Sequence, residues 1–276
     1  MGDFNFVKNG TWGDYLLIDS KRLSEVGRYI RENNVKNVEL NLYHGYELKD
    51  IQFLVSLKDV IEGVNVIQGS IDLKGLDSLI NLKQLNISDE MNCSIEFSAF
   101  KKLERCSILW HKNLKNISTC STLKEIVIKK INDKDINKVC EGLRSVESMT
   151  LIQPRIKNLD FIAEFSSLKS LEIYYSTTLE DITILSGRKS LKRLLLDHCK
   201  RVRDYKALAS LTEIEYLGIN DAGEIPTLSF VKDLKKLKHL SFVGTNVLDG
   251  NLSFCYGVDY VGHDNKKHYS SIPRNS

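Results

Sequence analysis

The histidines and their acidic neighbours are the side chains with most potential for catalysis or metal binding. An imidazole beside a carboxylate can act as a general base, and two imidazoles can share a metal ion. His198 directly follows Asp197. Consecutive strand residues point to opposite faces, or the chain leaves the strand there, and in either case no Ser/His/Asp relay can be drawn. His198 and His239 fall two repeats apart, roughly 10 Å by strand spacing. The sequence therefore predicts no catalytic residue and no metal site.

Phosphate and nucleic-acid chemistry have little support. Neither GxGxxG nor GxxxxGK[ST] occurs, and 39 basic against 36 acidic residues leave a net charge of only +3. A basic run from Lys101 to Lys134 alternates with acids such as Glu104 and Glu125, which is typical of a solvated face. We predict no cofactor and no small-molecule substrate, and we keep nucleic acid as the weaker alternative partner.

The hydropathy of the chain and the spacing of its cysteines predict a cytoplasmic protein. No run of about 18 apolar residues occurs, and the N-terminus lacks a basic segment followed by an apolar one. Six cysteines are spread along the chain without a CxxC pair, and buried reduced thiols explain them better than disulfides. The cysteines are Cys93, Cys106, Cys120, Cys140, Cys199 and Cys255.

A repeated apolar pattern organises the chain and sets the positions of the residues discussed above. An L-x-x-L-x-L core recurs ten times at a period of about 22 residues, beginning with Val35/Val38/Leu40 and ending with Leu237/Leu240/Phe242. The L-x-L part alternates with period two, so it predicts a short strand with its apolar residues inward and the intervening residues outward. Successive strands would pair in parallel.

The other half of the repeat carries a second pattern. Leu48 to Leu54, Leu179 to Leu185 and Val202 to Leu208 resemble the Leu/Ile-x-Asp-Ile-x-x-Leu pattern of short-repeat, internalin-like bacterial leucine-rich-repeat proteins. The resemblance covers roughly residues 35 to 257. It implies an α/β leucine-rich-repeat solenoid of about ten coils, with a concave parallel sheet and 3₁₀ or short helices on the convex side. The family usually places a polar residue just after each strand. This polar column is present only in the later repeats, at Ser176, Cys199 and Thr245.

The ends of the repeat array predict caps. Residues 1–34 form an N-terminal cap, in which Ser20 begins a helix carrying Leu23, Val26 and Ile30. Residues 35–257 form the repeats. Residues 258–276 give a capping strand, the end of an alternation that begins at Phe254, and a polar, frayed tail. We expect no appended catalytic, anchoring or transmembrane domain.

The outward positions of the later repeats combine large rings with charges, which is typical of protein interfaces. The alternative is that these aromatics only pack on neighbouring strands. The sequence predicts a non-catalytic protein-binding module that uses its concave face, with a neutralising, immunity-type or regulatory role as the sharper hypothesis. The residues predicted to contact the partner are Arg105, Leu109, Trp110, Ile152, Tyr174, Tyr175, Arg193, Asp197, His198, Tyr216, Asn220, Asp221 and His239.

Overall fold

The computed structural model describes residues 4–10, 12–67, 71–88 and 94–272 of the chain. The chain divides into two compact units, Met1–Val127 and Ile128–Ser276. Each unit repeats one plan, a short strand followed by a return segment of 3₁₀ turns or a short helix. Within the described ranges, no helix is long and apolar enough to cross a membrane.

The N-terminal unit begins with a hairpin and continues as a parallel sheet. Strands β1 and β2 are antiparallel, and β2, β3, β4, β5 and β7 follow one another in parallel. The short strands β6 and β8 pair separately. The elements are β1 (Phe6–Gly10), β2 (Gly13–Leu17), α1 (Leu23–Glu32), β3 (Asn37–Asn41), α2 (Gln52–Val55), β4 (Gly63–Ile67), β5 (Gln84–Ile87), β6 (Ile95–Glu96), β7 (Arg105–Leu109), β8 (Leu114–Lys115) and β9 (Glu125–Lys129), which contains the division between the units.

The C-terminal unit is a more regular parallel sheet. Strands β10, β11, β12, β13, β15 and β17 pair in that order, and β14 pairs with β16. The elements are α3 (Asp133–Cys140), β10 (Ser148–Ile152), β11 (Ser170–Tyr174), β12 (Arg193–Asp197), β13 (Tyr216–Asn220), β14 (Gly223–Ile225), β15 (His239–Ser241), β16 (Thr245–Val247) and β17 (Tyr260–Gly262).

The inward positions of the repeat form the core of each unit. Every residue of the ten predicted triplets is buried except Val35, which is half-buried. The return segments are buried too, as Leu179, Ile182 and Leu185 illustrate. Within each unit, the strands on one side and the 3₁₀ turns on the other pack around the same apolar core. The prediction of an α/β leucine-rich-repeat solenoid is confirmed.

A left-handed residue ends most strands of the C-terminal unit. Lys130, Gln153, Tyr175, His198 and Asp221 all have φ between 47° and 61°, a region that costs a residue with a side chain about 1 kcal/mol or more. The turn aims each backbone N–H at the next repeat; that of Tyr175, for example, donates to the Asp197 carbonyl at 2.9 Å. These hydrogen bonds offset the strain, and the turn changes the direction of the side chain relative to a continuing strand.

The polar column after the strands is present where the sequence predicts it. Ser176, Cys199 and Thr245 are fully buried. The Thr245 Oγ1 donates to the Ile219 carbonyl at 2.7 Å and accepts from the Ala222 N–H at 3.0 Å. The hydroxyl therefore satisfies backbone groups that the turn leaves without partners.

The five described cysteines, Cys106, Cys120, Cys140, Cys199 and Cys255, are buried free thiols. Burial raises the pKa of Cys199 to about 12, so the thiol stays protonated and inert at neutral pH. Cys93 lies outside the described residues.

Both ends differ from the sequence prediction in detail. Asp19, not Ser20, caps the first turn, where its side chain accepts from the Lys21 N–H at 2.9 Å; that 3₁₀ turn precedes α1. The last strand is Tyr260–Gly262, and the residues after Phe254 turn before they reach it. Both differences arise from local turns that compete with the simple periodic pattern.

The polar tail is not frayed over its described part. The Tyr269 hydroxyl donates to the Thr245 carbonyl at 3.2 Å and accepts from the Val247 N–H at 2.9 Å. The Ser270 Oγ accepts from the Leu252 N–H at 2.8 Å. The tail up to residue 272 therefore closes the last repeat by satisfying its exposed backbone groups.

Candidate binding surfaces of the two units

The strand residues that alternate with the core form the outer sheet face of each unit. In the N-terminal unit the middle residues of β3 and β4 on this face are polar yet buried: Glu39 is 2% exposed and Asn65 9%. The Glu39 carboxylate accepts from the Asn41 Nδ2 at 2.9 Å and from the Asn65 Nδ2 at 2.8 Å. Asn86 extends the network by donating to the Asn65 Oδ1. These hydrogen bonds compensate the carboxylate for its loss of water.

The β1–β2 hairpin accounts for this burial. Trp12, in the turn between the two strands, donates from its Nε1 to the Glu125 Oε1 at 3.0 Å. The Tyr15 hydroxyl of β2 donates to the Gln84 Oε1 of β5 at 3.0 Å, although β3 and β4 lie between these strands. Burial raises the pKa of Tyr15 to about 12. The hairpin side chains therefore reach across the outer sheet face of the N-terminal unit and cover part of it.

Three of the predicted partner-contacting residues lie in this unit. Arg105 and Leu109 are the first and last residues of β7, Trp110 follows the strand, and all three are half-buried. The Arg105 Nε lies 3.7 Å from the Glu125 Oε2, on the carboxylate that also accepts from the hairpin. Arg105 is thus paired within its own unit, while its side chain remains 42% exposed.

The outer sheet face of the C-terminal unit carries a continuous stack of side chains. The Arg193 guanidinium lies 3.6 Å from the centre of the Tyr216 ring. The ring centres of Tyr216 and His239 are 4.4 Å apart, as are those of His239 and Tyr260, with interplanar angles of 13° and 18°. All four residues are register partners on successive strands. We call Arg193, Tyr216, His239 and Tyr260 the ring stack.

Glu172 fixes one end of the ring stack. Its Oε1 accepts from the Arg193 Nε at 2.5 Å, and its Oε2 accepts from the Tyr174 hydroxyl at 2.8 Å. Burial and the bond to Glu172 raise the pKa of Tyr174 above its usual range. Burial, with a smaller contribution from Arg193, lowers the pKa of His239. The stack therefore holds a fixed cation at Arg193, and the imidazole of His239 is neutral at neutral pH.

The strand exits bring together residues that sequence reasoning separated. The His198 Nδ1 lies 2.5 Å from the Asp197 Oδ1 and 3.8 Å from the Asp221 Oδ2. Asp197 and His198 therefore form a pair, because β12 ends at Asp197 and His198 lies beyond the strand. His198 adopts the left-handed conformation at φ 55°, so its ring turns back towards the preceding carboxylate. Tyr175 packs on the imidazole with ring centres 4.5 Å apart.

Two other residues predicted to contact the partner, Asn220 and Ile152, lie at the ends of strands. Asn220 ends β13, and its Oδ1 accepts from the Ser241 hydroxyl at 2.8 Å and the Val243 N–H at 3.2 Å. Ile152 ends β10 and is half-buried. Beside it, a depression of about 630 Å³ is lined by Lys130, Asn132, Gln153, Pro154, Arg155, Tyr175 and Thr177. This volume is large enough to accept side chains of a partner.

No protein-family model and no curated protein matches this chain. Solved structures do. An internalin (InlF) of Listeria monocytogenes str. 4b F2365 superposes with a TM-score of 0.59 and 22% identity over 80% of this chain and 64% of that one. Internalin C2 of the same organism gives 0.51 and 18%, over 76% and 84%.

The chain has an internalin-like leucine-rich-repeat fold. Outside the internalins, the mouse RP105/MD-1 complex matches with a TM-score of 0.56 and 18% identity, over 73% of this chain and 38% of that one. The chain therefore spans less than two thirds of InlF and of the matched mouse protein. Identities this low establish the fold alone.

Within the internalin-like fold, sequence reasoning missed Glu172, Tyr260 and Trp12 as members of these surfaces. Tyr260 could have been found by extending the column of outward positions by one more strand. Glu172 was an outward residue without a predicted role. Nothing in the sequence links Trp12 to Glu125, because 113 residues separate them and the contact depends on how the hairpin folds over the sheet.

Proposed function

We propose that this chain is a non-catalytic protein-binding module that engages a protein partner through the concave face of its C-terminal unit, centred on the ring stack. The sharper form of the proposal is a neutralising, immunity-type or regulatory role, in which binding alone blocks or modulates the partner. We further propose a bacterial cytoplasmic setting, in which its buried free thiols remain reduced.

The ring stack is the observation that carries this proposal. Tyr and Arg dominate the binding energy of protein interfaces. Arg193 is held between Glu172 and Tyr216, and Tyr260 at the other end is 55% exposed. Side chains fixed before binding lose less conformational freedom when a partner arrives. The stack thus offers large, ordered contact groups at low entropic cost.

The contrast between the units supports the choice of surface. In the N-terminal unit, the hairpin residues Trp12 and Tyr15 already occupy the outer sheet face. In the C-terminal unit, Arg193, Tyr216 and His239 are half-buried and Tyr260 is exposed. A partner can contact this second face without displacing any part of the C-terminal unit.

A binding role also fits the chemistry of the strand exits better than catalysis does. In the described part of the chain, the ring partners of His198 are Asp197, Asp221 and Tyr175. No hydroxyl or thiol nucleophile contacts the imidazole there, as an acyl-transfer relay would require. Among the fold neighbours, the RP105 structure is a complex with a second protein, which agrees with a binding function.

The proposal is tested with a partner captured on the tagged full chain and identified by mass spectrometry. Isothermal titration should then show that Tyr216→Ala weakens binding about 30-fold, because loss of an interface hot spot costs about 2 kcal/mol. Tyr43→Ala is the matched control, since Tyr43 is a 75% exposed tyrosine of the N-terminal unit; it should bind like the parent.

Two further variants separate the predicted surface into parts. Tyr175→Ala should weaken binding and Trp110→Ala should not, since only Tyr175 lies in the C-terminal unit. Unchanged affinity in both Tyr216→Ala and Tyr175→Ala would refute the proposed surface. Salt-sensitive retention on heparin that is lost in Lys129→Ala/Lys130→Ala would instead support nucleic-acid binding.

A further inference from the structure

Asp197, His198 and Asp221 have the composition of a metal-ligand set. Their ligand atoms, one imidazole nitrogen and two carboxylate oxygens, all lie within 4.8 Å of one another. We propose that this cluster binds a divalent transition-metal cation of the Zn²⁺ class. The proposal goes beyond the protein-binding function and does not depend on it.

Backbone geometry assembles the cluster from two successive repeats. Asp197 is the last residue of β12, and its side chain points outward. His198 and Asp221 occupy the left-handed positions after β12 and β13, with φ of 55° and 47°. The turn at each position brings the side chain back beside Asp197, and the strand pairing holds the two repeats in register. The three ligands are therefore fixed by the sheet and not by a mobile loop.

Distances between the ligand atoms are compatible with a shared ion. Zn²⁺ binds nitrogen and oxygen at about 2.0–2.2 Å, so tetrahedral ligand atoms lie about 3.3 Å apart. The His198 Nδ1 lies 2.5 Å from Asp197 and 3.8 Å from Asp221, one value below and one above that separation. Small side-chain rotations would equalise them.

The charge of the cluster favours a cation. In the described part of the chain, the ion-pair partner of both Asp197 and Asp221 is His198, and no lysine or arginine pairs with either carboxylate. With a neutral imidazole the ligand set carries a charge of −2, which a divalent ion cancels.

Space around the cluster is also suitable. A Cβ on Gly244 would lie 2.2 Å from the Asp221 Oδ1, so glycine at this position leaves room for the carboxylate. On the other side, the Tyr175 ring packs against the His198 ring at an interplanar angle of 36° and restrains its orientation. The side chains of Asp197, His198 and Asp221 are 21%, 36% and 44% exposed, which gives an ion access and leaves coordination positions for water or a partner's side chain.

The nature of the ligands selects the class of ion. Imidazole binds Zn²⁺, Ni²⁺ and Cu²⁺ well, whereas Ca²⁺ and Mg²⁺ prefer sites made only of oxygen ligands. A site with one nitrogen and two oxygens should therefore bind Zn²⁺ in preference to Ca²⁺. The neighbouring ring stack contains a second histidine, His239, but that ring is enclosed between Tyr216 and Tyr260.

The test is titration of the metal-free full chain with Zn²⁺ and, separately, with Ca²⁺ by isothermal calorimetry. We expect one equivalent of Zn²⁺ to bind and Ca²⁺ to bind much more weakly. Asp221→Asn and His198→Asn should each weaken Zn²⁺ binding by about tenfold or more, since loss of a ligand affects affinity at least as much as loss of a supporting residue. Asparagine tolerates the left-handed conformation at both positions, so both variants should fold.

His268→Asn is the matched control, because it removes another histidine of the same unit that lies outside both the cluster and the ring stack; its Zn²⁺ affinity should equal that of the parent. Circular dichroism of every variant confirms that the fold is retained. Absence of equimolar Zn²⁺ binding to the parent would overturn the proposal. Equal affinity of the parent, Asp221→Asn and His198→Asn would also overturn it, as would tighter binding of Ca²⁺ than of Zn²⁺.

Discussion

Glu39 and Glu172 occupy the same place in the repeat, as the third residues of β3 and β11, yet their surroundings differ. The Glu39 side chain is 2% exposed and bound by the amides of Asn41 and Asn65. The Glu172 side chain is 19% exposed and bound by Arg193 and Tyr174. The difference teaches that what covers the sheet, and not the repeat itself, decides whether an outward residue is fully enclosed or remains partly exposed.

The largest expected effect comes from removing the Glu39 carboxylate. Glu39→Ala should lower the free energy of unfolding by about 3 kcal/mol, because it leaves two buried amide donors without an acceptor. Urea denaturation followed by circular dichroism measures the loss. Glu172→Ala is the matched change on the open face and should cost about 1 kcal/mol or less, since water replaces its partially exposed bonds. Equal losses in the two variants would contradict the contrast between a covered and an open face.

An intermediate effect is expected from loosening the hairpin. Trp12→Phe and Tyr15→Phe each remove one hydrogen bond to the sheet, to Glu125 and Gln84 respectively, at a cost of about 1 kcal/mol. Hydrogen exchange should become faster at the backbone amides of β1 and β2 and remain unchanged in β11, β12 and β13. Tyr43→Phe, at an exposed tyrosine of the same unit, should leave both regions unchanged. Unaltered exchange in β1 and β2 would mean that these bonds do not hold the hairpin in place.

The smallest expected effect is a pH dependence of the free energy of unfolding, caused by His239 in the ring stack. The pKa of His239 is lowered from 6.5, chiefly by burial in the ring stack. Below about pH 6.5 the unfolded chain therefore binds a proton that the folded chain resists, so stability falls as the pH decreases. Above that pH the imidazole is neutral in both states and contributes no slope. Thermal unfolding at several pH values should show a smaller acid loss in His239→Asn than in the parent; parallel losses would exclude His239 as the source.

The two predictions from sequence that concern periodicity were confirmed, because each depends on local chemistry. The inward triplets and the late polar column at Ser176, Cys199 and Thr245 follow from strand alternation and from backbone groups that need partners. The same alternation placed Arg193, Tyr216 and His239 in one outward column. It did not show that their side chains stack, since rotamers and mutual packing are not encoded in the period.

Predictions at the ends and at the strand exits were less accurate. Asp19 and Ser20 are both good caps, and the choice between them depends on where the first turn begins. Asp197 and His198 meet because the strand ends between them, and strand alternation does not specify the side-chain direction of a residue after the strand. Five non-glycine residues at the strand exits adopt the left-handed conformation. Each is stabilised by a backbone hydrogen bond to the next repeat, which is a tertiary contact and cannot be predicted from the residue type.

The sequence by itself determined the solenoid, because apolar residues at a fixed period can be buried only by stacking one repeat on the next. It also determined which residues point outward in each strand. Only the tertiary structure decided that the hairpin covers the outer sheet face of the N-terminal unit, that the ring stack forms on the C-terminal unit, and that Asp197, His198 and Asp221 meet. These features depend on contacts between residues in different repeats, whose energies arise from three-dimensional packing, and no local pattern of residue types specifies them.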